Sequence, residues 1–436
     1  MTGVVAGGTS DVLSSVMIVP PESVLSRWAA LDDVLAALAR GAPCLRADGL
    51  WGSSRALGVA ALRQRTGRPI LLLTPGPSPR HRMAQDAAFF VSSLSGGPAG
   101  GGDDGEDSRV LEFPSGTGAS WRGTRHREPD AERALCCRRL LDGDAVVIVA
   151  TPSGLSEPVP PPSAFKRRTF TLTVGESSDR EILLELLEAA GYERVETVME
   201  VGQWSVRGGI VDIFSPTHGR PVRAEFVGDE VESLRIFDPT TQRSIAPLRE
   251  LTVLPLGAKD ATPVTLADYL PPGTLVVLED PAMLEAPPDD APSAAPLASV
   301  LERFQRLELP LLQRSEGAGP RFSMGTRSIG GYRGQFKALA GEIRTWRGEG
   351  FTVRLVVDDE RQSQRLRQML AEHDLEPWPE GTLWSQEGLA VVVGECGAGF
   401  QIPALGLIVL CEEEIFGAQR RRLRRPLFQR GAAMPR

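Results

Sequence analysis

The stretch YERVETVMEVGQWSVRGGIVDIFSPTHGRPVRAEFVGDEVESLRIFDPTTQR, residues 192–243, decides the architecture. Short runs of branched residues follow one another with turn signals between them. Residues 195–201 stop at Gly202, 209–214 stop at Ser215-Pro216, 222–227 turn at Gly228-Asp229, and 231–237 follow. That spacing predicts an antiparallel meander. Within 222–227, Val, Ala and Phe alternate with Arg223 and Glu225, while Val231, Leu234 and Ile236 break strict period two and predict a bulge or bend. Arg207, Arg223 and Glu225 are polar side chains inside strands that otherwise read as core.

On the N-terminal side, residues 1–20 lack periodicity and are expected to be mobile. Residues 21–40 read as one helix, with Val24, Leu25, Trp28, Leu31, Val34, Leu35 and Leu38 on one face. A short strand at 43–45 precedes DGLWGSSRALGVAALRQRTGRPILLLTPG, residues 48–76. This reads as a Gly-rich turn, a helix at 54–65 and a strand at 70–74, a βαβ unit that predicts a parallel sheet. A working phosphate loop runs GxxxxGK[ST]: the second Gly lets the backbone wrap the phosphates, Lys reaches the β and γ oxygens, and the hydroxyl holds Mg²⁺. Here Gly49 takes the first position, and Ser54, Arg55 and Ala56 take the Gly, Lys and Ser/Thr positions. The loop reads as a nucleotide-binding ancestor without its chemistry.

Further along, 76–91 and 132–141 read as helices, 92–108 as an acidic, Gly-rich disordered loop, 145–150 as a buried strand, and 151–163 as a Pro-rich linker. A helix at 179–191 should stop at Gly191 and point Ile182, Leu183, Leu186 and Leu187 inward. After the meander, 274–278 reads as another buried strand. It ends in Glu279-Asp280, where a motor ATPase carries acidic groups, although acidic residues at strand ends are common in any protein. Residues 286–296 read as a loop and 297–307 as a helix. From about 322, helices at 336–347 and 361–371 alternate with strands at 351–357, 389–393 and 407–410, a small α/β unit with no visible nucleophile, ligand set or phosphate loop. The run QRRRLRRPLFQR, residues 419–430, fits either a solvated linker or a nucleic-acid contact.

The 436 residues allow about two to four domains. With 42% hydrophobic and 24% charged residues the composition is that of a globular protein, and a net charge of −8 argues against a wholesale nucleic-acid binder. Lysine occurs only at 166, 259 and 337, a bias to Arg that fits forked contacts or a GC-rich genome equally. Cys44, Cys136, Cys137, Cys396 and Cys411 show no paired spacing and read as reduced, mostly buried thiols. The four scattered histidines suggest no zinc site. No apolar run of about 20 residues and no signal peptide is evident, so a cytoplasmic protein without a membrane span is expected.

The strings GYERVETVMEVGQWSVRGGIVDIFSP (191–216), PVRAEFVGDEVESLRIFDPTTQRS (221–244) and CEEEIFG (411–417) carry a resemblance. The chain resembles the part of bacterial transcription-repair coupling factors that is shared with UvrB. The resemblance implies an α/β protein: a degenerate P-loop NTPase-like domain at 1–168 and 255–318, an inserted antiparallel UvrB-like domain at 169–254, a small α/β domain at 319–418, and a basic linker at 419–436. It implies that this chain stops before the polymerase-binding and motor domains. ATP and Mg are cofactors of those motor domains only, so neither a cofactor nor ATPase activity is expected here.

The expected role is recruitment of UvrA by protein contact in transcription-coupled nucleotide excision repair. In the family, arginines at the positions of Arg207 and Arg223 contact UvrA, together with an aromatic residue at the position held here by Val227. Two guanidiniums on a rigid sheet can form forked bonds to carboxylates. The alternative is that these arginines pair internally with Asp212 or Glu225. RNA polymerase and double-stranded DNA are partners of the full-length family. A second functional class is an ATP-driven enzyme on DNA, for which the βαβ unit and Glu279-Asp280 speak and Ser54, Arg55 and Ala56 do not. A third is a remnant whose fold persists without its partner.

Overall fold

The computed structural model describes residues 21–95, 109–116, 118–119, 125–144, 146–257, 262–284, 297–311, 319–378, 382–384, 388–417 and 428–429. The expectations for 1–20, most of 92–108, 286–296 and nearly all of 419–430 lie outside them.

A seven-stranded parallel sheet forms the base, in the spatial order Arg321–Ser323, Cys44–Asp48, Gln305–Leu309, Leu275–Glu279, Ile70–Leu73, Val147–Ala150, Val110–Phe113. Its central strands are buried on both faces, so they read as unbroken apolar runs. Alternate side chains sort the core in two. Leu45, Ile70, Leu72, Val147, Val149, Leu275 and Val277 share one cluster with the helices Ala29–Ala39, Ser54–Thr66 and Pro77–Leu94. Leu71, Leu73, Ile148, Ala150, Val276 and Leu278 share the other with the helix Glu128–Leu141 and the foot of the meander.

The meander is a six-stranded sheet in the order Ser244–Leu248, Glu230–Phe237, Val222–Val227, Ile210–Ile213, Gln203–Arg207, Glu193–Arg194. All neighbours are antiparallel except the last pair. The expected irregularity is a register shift opposite Glu225/Phe226, which passes over Glu232 and lets both Val231 and Leu234 face the core. The helix Arg180–Ala189 covers the inner face. Asp179 caps it, accepting from the Glu181 and Ile182 amides at 2.9 and 3.1 Å, and Gly191 leaves it at φ +89°.

Several expectations need correction. Residues 195–201 are not a strand; the two-residue strand Glu193–Arg194 lies just before them. Ile182 is 55% exposed, because Leu183 and Leu187 already fill the contact stripe. The first helix is two, Pro21–Leu25 and Ala29–Ala39, broken where Trp28 turns inward and its Nε1 donates to the Met324 carbonyl at 3.0 Å. The linker at 151–163 holds the short helix Pro152–Leu155 and the start of Pro162–Arg168. The largest miss is 297–307: only Leu297–Leu301 is helical, and Gln305–Leu309 is a strand at the heart of the sheet. Its alternating Leu307 and Leu309 were too short a signal to outweigh the helical residues before it.

The third unit has a five-stranded sheet in the order Arg327–Ser328, Phe400–Ile402, Leu407–Leu410, Thr352–Val357, Leu389–Val393. The helices Phe336–Gly348 and Glu360–Ala371 pack on one face around Leu339, Ile343, Leu366 and Leu370. The other face is not free. Val356, Val392, Phe400, Ile402, Leu407 and Val409 belong to the same core cluster as the first unit's helices. The strand Arg321–Ser323, past the boundary expected at residue 318, pairs with Cys44–Asp48 in the first sheet.

Candidate functional site

Two places carry the residues singled out by sequence: the outer face of the meander and the former phosphate loop.

Cross-strand register orders the outer face into rows. One row runs Arg207, Ile210, Glu225, Ser233, and the next runs Ser205, Asp212, Arg223, Arg235, Pro247. Inner-face partners such as Val211, Ala224 and Leu234 are fully buried, which fixes which way the polar set points. Phe226 faces inward, and Val227 at the strand end is 63% exposed beside Glu230. Arg207 and Arg223 therefore share one face, two strands apart, roughly 10 Å laterally at ordinary strand spacing.

Their environments differ. Arg223 grips Asp212 with both arms of its fork, Nε to Oδ1 at 2.7 Å and Nη2 to Oδ2 at 2.8 Å, and its guanidinium lies 4.7 Å from the Phe237 ring centre. The hydrogen bonds to Asp212 raise its pKa further above the ordinary Arg value. Asp212 is 6% exposed and Arg223 21%. Arg207 touches neither expected carboxylate. It donates to the Glu196 carbonyl and to Thr197 Oγ1 at 3.1 Å, both outside the sheet proper, and is exposed. It borders an open cleft of about 480 Å³ lined by Arg194, Val195, Glu196 and Val206. Glu225 accepts from Ser233 Oγ at 2.7 Å instead of from either arginine. The face thus presents one arginine clamped in place, one loosely held, and an apolar residue at the rim.

The phosphate loop is closed by protein atoms. Arg55, in the Lys position, donates to Glu279 Oε1 at 3.1 Å, and both side chains are 11% exposed. The cation that would meet phosphate and the carboxylate that would serve a metal neutralise each other. Desolvation raises the Glu279 carboxyl above its ordinary pKa, opposed by Arg55. Three of the loop's amides are also taken. The Trp51 amide donates to Thr326 Oγ1 at 2.8 Å, the Ser53 amide to the Ala398 carbonyl at 3.1 Å, and the Ser54 amide to the Trp51 carbonyl at 3.2 Å. Ala56 is fully buried in the core. The segment 394–399, between the third unit's strands, lies where the loop opens. Gly52, at φ +55°, runs so close beneath it that a Cβ there would stand 2.5 Å from the Gly399 carbonyl oxygen.

Sequence reasoning missed the residue under this contact. Asp86, on the helix Pro77–Leu94, accepts from Ser53 Oγ at 2.6 Å and from the Gly397 amide at 2.7 Å. A lone carboxylate within the apolar stripe Ala84, Ala87, Phe90 was the available signal. Phe428 was also missed. It is 2% exposed and meets Phe214 edge-on, while the Gln429 amide donates to the Gly219 carbonyl at 2.8 Å, returning the chain to the meander's foot. Among the described residues no His/Cys/Asp/Glu group could hold a metal ion, and no helix is long and apolar enough to cross a membrane.

Residues 170–258 match the family model of the UvrB interaction domain. The chain is 25% identical over 458 aligned residues to the transcription-repair-coupling factor of Bacillus subtilis (strain 168), covering 84% of this chain and 38% of that protein. It is 31% identical over 216 residues to that of Myxococcus xanthus, covering 48% of this chain and 17% of the relative. To that of Escherichia coli (strain K12) it is 26% identical over 206 residues, covering 47% and 17%. The chain spans well under half the length of the relatives it matches.

Proposed function

Starting from this likeness to the UvrB-like region of transcription-repair-coupling factors, we propose that the meander is a docking module that recruits UvrA in cytoplasmic, transcription-coupled nucleotide excision repair. The observation that carries the reading is the outer sheet face, where Arg207, Arg223 and Val227 project from a UvrB interaction domain with a fully packed inner side. A rigid sheet holds the two guanidiniums at fixed separation, so a partner with matching carboxylates meets preorganised donors. The Asp212 clamp orients Arg223 and removes its rotamer freedom before binding. Arg207 can exchange its bonds to Glu196 and Thr197 for a partner carboxylate at little cost, since both acceptors stay near water.

An ATP-driven activity within these residues is disfavoured by the Arg55–Glu279 pair and by the Trp51, Ser53 and Ser54 amides already bonded to protein. We assign neither RNA polymerase nor DNA a surface among the described residues. The test is capture of purified UvrA by the immobilised full chain. Arg207→Glu should reduce capture at least tenfold with no change in folding. Full capture by Arg207→Glu and by Val227→Glu together would overturn the assignment.

A further inference from the structure

The segment 394–399 is built into the mouth of the old phosphate loop from both sides. Ser53 Oγ donates to Asp86 Oδ2 at 2.6 Å and accepts from the Ala398 amide at 3.0 Å. Asp86 Oδ1 takes the Gly397 amide at 2.7 Å, and the Ser53 amide reaches the Ala398 carbonyl at 3.1 Å. A Cβ on Gly397 would stand 3.1 Å from Arg82 Cγ and 3.2 Å from Asp86 Oδ1, so this glycine packs flat on the helix. Three polar contacts thus cross between units at one point, around a carboxyl buried in an otherwise apolar layer. We propose that the former phosphate loop has become a seat for the 394–399 segment of the third unit, and that protonation of Asp86 closes this seat more firmly.

The bonds tolerate the proton. A neutral Asp86 keeps Oδ1 as acceptor for Gly397, and its Oδ2 hydroxyl can reverse the bond to Ser53 Oγ, which still accepts from Ala398. The neutral form keeps these three heavy-atom contacts without a buried charge, the Ser53 hydroxyl hydrogen turning away from Asp86, and burial pushes this carboxyl up to about 6 from 3.8. The other charges around it are Arg82 on its own helix and Glu279 from the strand Leu275–Glu279, itself paired with Arg55; Cys411 of the third unit feels its field, and Glu414 lies behind Gly399. Local opening of 394–399 returns Asp86 to water and to its ordinary pKa, while the apolar contact of Phe90 with Phe400 stays in place. Linkage then runs in one direction: the closed seat holds a proton that the open one releases. The opening constant falls about tenfold between pH 7.5 and pH 5.

Amide exchange on the full chain, corrected for intrinsic rates, reads this constant at Gly397 and Ala398. Protection there should be about tenfold greater at pH 5 than at pH 7.5, with Ala224 in the meander unchanged. Asp86→Asn should remove the pH dependence. Should that variant fail to fold, Ser53→Ala, which removes a bond that lowers the carboxyl's pKa, should move the midpoint to higher pH. Flat protection in the wild type, a slope surviving in Asp86→Asn, an unmoved midpoint in Ser53→Ala, or a slope abolished by Glu414→Gln alone would each overturn the proposal.

Discussion

Replacing Arg223 by Glu separates partner contact from internal support. Arg223 answers a carboxylate, Asp212, that is 6% exposed. Removing the cation leaves that charge buried and unpaired, and the new Glu adds a like charge beside it. Breaking a buried pair costs about 3–5 kcal/mol, and the lower end applies because Arg223 itself keeps 21% exposure. Loss of the guanidinium over Phe237 adds up to about 1 kcal/mol. An opening free energy lowered by about 3 kcal/mol reduces amide protection of the strand Val222–Val227 on the order of 100-fold. Arg207→Glu, which breaks only bonds at the surface, should change it less than about threefold. The pair Arg223→Gln with Asp212→Asn removes both charges and keeps hydrogen-bonding shapes, so protection should return to within about 1 kcal/mol of wild type. If that double variant regains protection but not UvrA capture, Arg223 contacts the partner directly. If Arg223→Glu leaves protection of Ala224 unchanged, the clamp contributes nothing and the reasoning fails.

Val227→Phe should tighten UvrA binding about 2–10-fold in a calorimetric titration, since a ring adds apolar contact area at the rim of the proposed docking face, with stability unchanged at this exposed position. Gly52→Ala forces a side chain into a left-handed backbone and against the Gly399 carbonyl; a loss of at least about 2 kcal/mol should appear in urea unfolding. Phe428→Ala empties a site against Phe214 and should cost about 3 kcal/mol, read by the same titration and by faster cleavage after Gln429. Iodoacetamide at pH 8 should label Cys396 first, because burial pushes Cys136 and Cys411 well above the usual thiol range and Cys137 up to about 12. Labelling of Cys136 or Cys137 at a comparable rate would contradict the packing.

The sequence by itself determined the local grammar of this protein. Turn residues and period-two alternation marked the strands Ile210–Ile213, Val222–Val227 and Glu230–Phe237, since burial of one sheet face dictates that pattern. Ser54, Arg55 and Ala56 stand where a working phosphate loop has Gly, Lys and Ser/Thr, and that departure is legible in the sequence because each of those groups has a fixed chemical task. What stands next to what was decided only by the tertiary structure. Gln305–Leu309 is a strand because two parallel neighbours wait for its backbone groups, and five residues of mixed polarity do not announce that demand. Arg223 is bound to Asp212 and Arg207 is not, although both sit on the same sheet face, because pairing depends on which carboxylate the register sets opposite. Asp86 lies 33 positions from Ser53 and 311 from Gly397, and only the packing of the third unit onto the first brings the three together. Hydrogen bonds between distant residues leave no period in a sequence; they exist where close-packed elements deliver a donor to an acceptor.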